Sequence, residues 1–303
     1  MPLHNLWTHL RRWAAVSTLS VLFVPSASAS EPIARVVSRM VLVPFTVTDR
    51  DGKPRTGLQA DDFQVFDGGE RRPIHSLWRE DAPAAVGIVL DLSGSMETKL
   101  PHALSALAEI IKALEAEDSV ALFTFADEPR MAGDFERWPE TLLGRVGRVK
   151  ASGGTALYDA IYLALHKVKA TGASRKALVV ISDGADNASR YSLKELSSMV
   201  VEADVQIYTI GIVENTLNRD EREGSYVMEA ISERSGGLHF TVTNRGELPV
   251  AAARIARVLK HVYVLAYHPP EGALTGKWRK IRVALTFRER SLRITAKPGY
   301  YQP

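Results

Sequence analysis

The sequence predicts an α/β fold in which a mostly parallel sheet, covered by helices on both faces, is inserted between N- and C-terminal β segments that pair into a small β domain. Three observations predict it. From Ala85 onward, short apolar runs alternate with segments of helical period, the pattern of a parallel sheet buried on both sides. Before Asp81 and after His261 the apolar period falls to two, the mark of half-buried strands. Finally, 303 residues that are 46% hydrophobic and 24% charged can bury a large core, which excludes a mainly disordered chain.

Residues 1–29 read as an address. Arg11 and Arg12 precede the uncharged run Trp13–Val24, and the triplet Ala27-Ser28-Ala29 offers a cleavage point before Ser30. The apolar run is shorter than the roughly 20 residues that a membrane-spanning helix needs. A signal peptide at 1–29 with a linker at 30–38 is therefore expected, and with it export to the periplasm, cell surface or medium, with no transmembrane segment in the mature chain. Retention as an anchor is the other reading. The formal charge of +3 loses two arginines with the leader and falls to +1, so the whole-chain charge gives little reason to expect a nucleic-acid partner. The chain has no cysteine, which removes disulfide frameworks, thiolate metal sites and cysteine nucleophiles. Any metal must bind oxygen or histidine.

The N-terminal β segment, 39–82, holds the alternation Val41, Val43, Phe45, Val47 and the run Asp62–Phe66, with turn signals at Asp51-Gly52 and Asp67-Gly68-Gly69. Pro44 assigns its strand to an edge or bulge. In the central unit, 83–262, strands are expected at Val86–Leu90, Ser119–Phe125, Ala177–Ile181, Val205–Ile210 and Leu238–Val242. Helices are expected where Leu100, Leu104, Leu107, Ile111 and Leu114 recur, and likewise Leu157–Val168 and Leu248–Leu259. The C-terminal β segment, 263–303, contains Tyr263–Tyr267 and a hairpin that turns at Glu289–Ser291. Its basic run, from Lys277 to Arg293, alternates with Ile281, Val283 and Leu285 and reads as the solvated face of that hairpin; contact with a cell-surface polyanion is the alternative.

The chemistry concentrates after the first buried strand, at Asp91-Leu92-Ser93-Gly94-Ser95. In extended chain, residues i, i+2 and i+4 face one side, so Asp91, Ser93 and Ser95 can present three oxygen groups to one point. Thr155 precedes a helix after Gly153-Gly154, and Asp183 ends a strand, the place where open α/β sheets collect ligands. Two carboxylates and three hydroxyls form a hard-oxygen set suited to Mg²⁺, with Mn²⁺ or Ca²⁺ possible.

These five residues resemble the complete metal-ion-dependent adhesion site of a von Willebrand factor A (VWA) domain. The flanks Val47-Thr-Asp49, Asp62-Phe63, Asp67-Gly68, Tyr263–Tyr267 and Pro298-Gly299-Tyr300 are similar to the VWFA-related family abundant in Acidobacteria. The resemblance implies a Rossmann-like domain binding Mg²⁺ through Asp91, Ser93, Ser95, Thr155 and Asp183, with an Asp or Glu side chain of a protein partner completing the coordination. Ser182 stands where the family more often has Thr. On this reading the chain is a non-enzymatic adhesion module of unknown oligomeric state, with partner specificity set at a rim including Met96, Glu97, Asp127 and Asn187. Two alternatives stand beside it. One is an envelope scaffold with a structural metal site. The other is a hydrolase with Ser93 or Ser95 as nucleophile, for which His102 is the nearest base although no Gly-x-Ser-x-Gly or His-Glu-x-x-His pattern occurs.

Overall fold

The computed structural model describes residues 40–137, 140–146, 149–184, 186–270 and 276–302; the leader and linker expected at 1–38 lie outside them. The N-terminal segment forms β1 (Val41–Thr48), β2 (Phe63–Asp67), β3 (Glu70–Arg72) and β4 (Ser76–Arg79). Gly68 and Gly69 close the β2–β3 hairpin with φ of 62° and 93°, values that L side chains resist and glycine adopts freely.

The central unit follows with β5 (Ala84–Asp91), α1 (Leu100–Ala113), β6 (Ser119–Phe125), β7 (Pro129–Glu136), α2 (Glu140–Val146) and α3 (Leu157–Lys169). It continues with β8 (Arg175–Ser182), α4 (Leu193–Glu202), β9 (Gln206–Ile212), α5 (Arg219–Ser235), β10 (His239–Val242) and α6 (Leu248–Leu259). The C-terminal segment supplies β11 (Tyr263–Tyr267), β12 (Trp278–Leu285), β13 (Arg293–Ala296) and β14 (Gly299–Tyr301). No helix among the described residues is long and apolar enough to cross a membrane.

The central sheet has the order β10-β9-β8-β5-β6-β7, parallel except for β7, which runs antiparallel to β6 at the edge. Alternation along β5 divides its residues between two cores. Val86, Ile88 and Leu90 face α1 and α6, while Val89 faces α3, α4 and α5. A Cβ at Gly87 would stand 2.5 Å from Leu178 and 2.9 Å from Val168, so glycine there lets α3 lie close on the sheet. The helices at 100–113, 157–169 and 248–259 follow the expected apolar stripes. The long helix α5 has no such stripe: its buried face is largely Gly224, Ser225, Ser232 and Ser235, with Met228 and Ile231. It starts at an Asn218 cap and stops at Gly236, whose φ is 80°.

The flanking strands form two antiparallel sheets, β13-β1-β11-β4 and β14-β12-β2-β3, each drawing on both ends of the chain. Between them Phe45, Phe63 and Tyr263 pack ring on ring, with Phe45 edge-on to Phe63 at 5.0 Å. Buried Asp67 accepts hydrogen bonds from Tyr267 Oη and Tyr300 Oη, both at 3.1 Å, and from Arg279 Nε at 2.6 Å. Two sequence expectations are corrected. The strand carrying Pro44 is internal in its sheet; β13 pairs with it only from Phe45 to Thr48, so the missing N–H at Pro44 interrupts no ladder on that side. The segment around Glu289–Ser291 is no hairpin either. β12 pairs with β2 and β14, whereas β13 pairs with β1, so this connection crosses between sheets because both flanking strands bury a face in the same sandwich core.

One polar cluster sits where α5 meets the sheet edge. His239 shares hydrogen bonds with Thr209 Oγ1 at 2.7 Å and Ser225 Oγ at 3.0 Å, and burial lowers its pKa to about 4. The unfolded chain takes up this proton below about pH 6.5 while the folded chain refuses it, so the contribution of His239 to stability falls by up to about 3 kcal/mol as pH drops from 6.5 to 4. We expect His239→Gln to lose less stability over that window than the wild type, read as the difference between their melting temperatures at the two pH values. An equal loss in the variant would assign the acid sensitivity elsewhere.

Candidate metal centre

Asp91 ends β5, and the chain then leaves the sheet through a loop tied down by backbone bonds. Leu92 N donates to Phe125 O at 2.8 Å, Gly94 N to Gly153 O at 3.0 Å, and Ser152 N to Leu92 O at 2.8 Å. The serine loop and the Thr155 loop are thereby laced together. β8 lies beside β5 with Leu90 opposite Ile181, which brings Ser182 and Asp183 to the same end of the sheet. The chain proceeds from β5 to β6 on one side and returns to β8 on the other, so the site occupies the switch point of strand order.

The side chains converge. Ser93 Oγ and Ser95 Oγ are 3.1 Å apart, and Ser95 Oγ donates to Asp183 Oδ1 at 2.8 Å. Asp91 Oδ1 accepts from Ser93 N at 2.8 Å, and its other oxygen accepts from Ser182 Oγ. A side chain begun on Gly184 would start 3.7 Å from Thr155 Oγ1, so the threonine hydroxyl stands beside the backbone that follows Asp183. Asp91, Ser93, Thr155 and Asp183 are buried, whereas Ser95 is exposed and forms the mouth. All five residues singled out in the sequence meet at this place.

The donor set fits a hard divalent cation. Its donors are carboxylate and hydroxyl oxygens, and one side opens to solvent. Burial, with the nearby charge of Asp183 and against hydrogen bonds from Ser182 and Ser93, raises the Asp91 carboxyl to about 6. A cation here would offset that crowding of negative charge. Among the described residues no cluster of three or more His, Cys, Asp or Glu is placed to hold a metal, and the set at this site combines two carboxylates with hydroxyls.

Two residues that sequence reasoning passed over complete the surroundings. Lys99, only 5% exposed, pairs through Nζ with Asp183 Oδ2 and with Glu221 Oε1 at 2.9 Å. Burial would lower its pKa, yet its hydrogen bonds to Asp183 and Glu221 hold it above the ordinary lysine value. Lys99 is the N-cap of α1, where a cation opposes the helix dipole. Glu221, in the first turn of α5, also accepts from Asn215 N at 2.9 Å. Ser182, noted in the sequence only as a departure from a resembled pattern, bonds directly to Asp91.

One member of the expected rim is corrected. Met96 is fully buried, because the short turn Gly94–Met96 folds it under the loop into the core below α1. Asp127 and Asn187 are committed to the Thr155 loop: Asp127 Oδ1 accepts from Gly154 N at 2.7 Å and Asn187 Oδ1 from Thr155 N at 2.8 Å. Glu97, Asp127 and Asn187 are all exposed, and among the described residues Glu97 forms no hydrogen bond or ion pair through its side chain. His102 Nδ1 is buried without a hydrogen-bond partner, and the hydroxyls of Ser93 and Ser95 bond to each other and to Asp183 rather than to an imidazole.

Comparison with known proteins agrees with this architecture. The von Willebrand factor type A domain matches residues 86–253, more than half of the chain. An uncharacterized protein of Borreliella burgdorferi is 26% identical over 187 residues, covering 54% of this chain and 55% of that protein. The chain thus spans about half the length of the curated relative it matches. Among solved structures, a von Willebrand factor type A protein from Catenulispora acidiphila superimposes with a TM-score of 0.53 at 14% identity, covering 82% of this chain and 76% of that one. Proximal thread matrix protein 1 from the mussel byssus gives 0.51 at 17% identity, covering 64% and 51% respectively. At such identities the likeness concerns the fold alone. The match over residues 86–253 establishes the relationship: the chain belongs to the von Willebrand factor type A domain family.

Proposed function

We propose that this chain is an exported, divalent-cation-dependent protein-binding module. The observation that carries the reading is the convergence of Asp91, Ser93, Ser95, Thr155 and Asp183, drawn from three loops, on one solvent-open point at the switch of strand order. These residues would hold Mg²⁺, with Mn²⁺ or Ca²⁺ as substitutes, and the bound ion would supply a positive centre for an Asp or Glu carboxylate of a protein partner. Asp91 and Asp183 provide the charge, Ser93 and Ser95 the neutral oxygens, and Thr155 the donor on the loop held by Asp127 and Asn187. The exposed Glu97, two residues after Ser95, would repel a partner surface carrying more than the one acid the site accepts. The reading of residues 1–29 as a signal peptide supports export.

A binding role rather than hydrolysis is favoured because, among the described residues, neither serine hydroxyl bonds to a histidine, and the carboxylate that accepts from Ser95, Asp183, is itself ion-paired with Lys99. The test is a pull-down from an envelope extract with the immobilised protein in Mg²⁺ and in EDTA. We expect capture of a partner in Mg²⁺, its release by EDTA, and competition by a peptide bearing an exposed Asp or Glu. Undiminished capture in EDTA would sink the reading. A large Mg²⁺-induced rise in melting temperature without any cation-dependent capture would support the scaffold with a structural metal instead.

A further inference from the structure

A second recessed site lies away from the metal centre, near the start of edge strand β10. It is a cavity of about 350 Å³ bounded by the turn after β1, by β10, by α6 and by the connection into β13. Four arginines line it: Arg50, Arg254, Arg290 and Arg293. None of the four forms an ion pair among the described residues. Of the two acids on the same wall, Asp49 is occupied by the backbone of its own turn, accepting from Asp51 N at 2.9 Å and Lys53 N at 2.8 Å; Asp51 is free. With all six groups ionised the cavity carries a net positive charge. Leu238, Phe240 and Leu292 add apolar lining. Gly52, with φ of 75°, fixes one wall: a Cβ there would stand 3.3 Å from the Phe240 ring and 3.8 Å from Arg254 Cδ, so the turn packs directly on both side chains.

The basic run at the C-terminus also divides by use. Arg279 is bound to buried Asp67, and Arg282 lies 3.9 Å over the Phe66 ring, so both serve the sandwich. Arg290 and Arg293 have no such partner and turn to the cavity. Guanidinium groups match planar and tetrahedral oxyanions with paired N–H donors, and a volume near the lower end of the ligand-pocket range admits one ring-sized unit. We propose that this cavity binds an anionic sugar unit of a polysaccharide, with the oxyanion held by the arginines and the ring packed against the apolar lining that includes Phe240. The proposal is independent of the metal site.

Calorimetric titration in EDTA tests it on the full chain. The probes are a glucuronate-containing tetrasaccharide, a sulfated tetrasaccharide, a sugar phosphate, inorganic phosphate, a neutral tetrasaccharide and a short single-stranded DNA. We expect at least one anionic sugar to bind, weakening with salt, and the neutral sugar not to bind. Arg254→Gln and Arg293→Gln should each weaken binding by about tenfold, while Arg234→Gln, at an exposed arginine on α5, leaves it unchanged. Preference among carboxylate, sulfate and phosphate sugars identifies the natural source. Inorganic phosphate or DNA binding as tightly as every anionic sugar would overturn the proposal, as would equal affinity in the Arg254 and Arg293 variants once their melting curves show an intact fold.

Discussion

Asp91→Ala is expected to weaken Mg²⁺ binding by more than about 100-fold, beyond the range seen when only a ligand's supporting partner is lost. The same change should abolish cation-dependent capture. The reason is positional as well as electrostatic. Asp91 orders Ser93 by accepting its backbone N–H and fixes Ser182 at the adjacent strand end. Its removal takes away one of the two carboxylates and loosens a second ligand. In EDTA two effects on stability oppose each other. Losing the acceptor leaves two donors unpaired, at about 1–3 kcal/mol each, but it also removes a buried charge whose pKa burial raises to about 6. Asp91→Asn separates the contributions, since it keeps an acceptor oxygen while removing the charge. Melting curves in EDTA and in Mg²⁺ for wild type, Asn and Ala supply the readout. A Mg²⁺-induced shift in Asp91→Ala equal to wild type would show that the ion binds elsewhere.

Much of the fold was legible where burial follows a simple period, although α4 (Leu193–Glu202), which buries Leu196, Val200 and Val201 behind a Ser192–Glu195 capping box, was not among the expected helices. The strands at 84–91, 119–125 and 175–182 and the helices at 100–113 and 157–169 are built on aliphatic residues whose spacing states the element. Helix α5 escaped because a helix that packs through serine and glycine presents no hydrophobic stripe; only its Asn218 and Gly236 caps signalled it. The crossing at 286–292 escaped for a different reason. Alternation says which face is buried but not which neighbour covers it, and β12 and β13 satisfy the same alternation in opposite sheets. At the site, the five oxygen residues were readable because three lie in one motif and the others at the ends of later α/β units. The ionic partners were not, because the pairing of Lys99 with Glu221 joins residues far apart in sequence, at the starts of α1 and α5. Local spacing carries no trace of such a contact.

That pairing leads to the second large effect, in which stability and metal affinity move in opposite directions. Lys99→Met should destabilise the protein in EDTA by about 3–5 kcal/mol, the cost of leaving buried partners without their cation. Asp183 and Glu221 are both poorly exposed, and within the described structure Lys99 is the cation that bridges them. Yet the same ammonium sits on Asp183, one of the residues that would hold the divalent ion, and offsets the negative charge that attracts it. Its loss should therefore raise Mg²⁺ affinity, and because a ligand of the native state stabilises by RT ln(1 + [L]/Kd), the Mg²⁺-induced rise in melting temperature becomes larger than in wild type. A residue with a purely structural role would lower stability equally with and without Mg²⁺. The paired variant Lys99→Met with Glu221→Gln removes the orphaned charge along with the lysine. It should recover part of the stability in EDTA while keeping the enhanced response to Mg²⁺, and the double-mutant cycle isolates the Lys99–Glu221 coupling from the Lys99–Asp183 contact. Lower Mg²⁺ affinity in Lys99→Met would mean that the lysine holds Asp183 in its binding position, and that this orientation outweighs the charge it cancels.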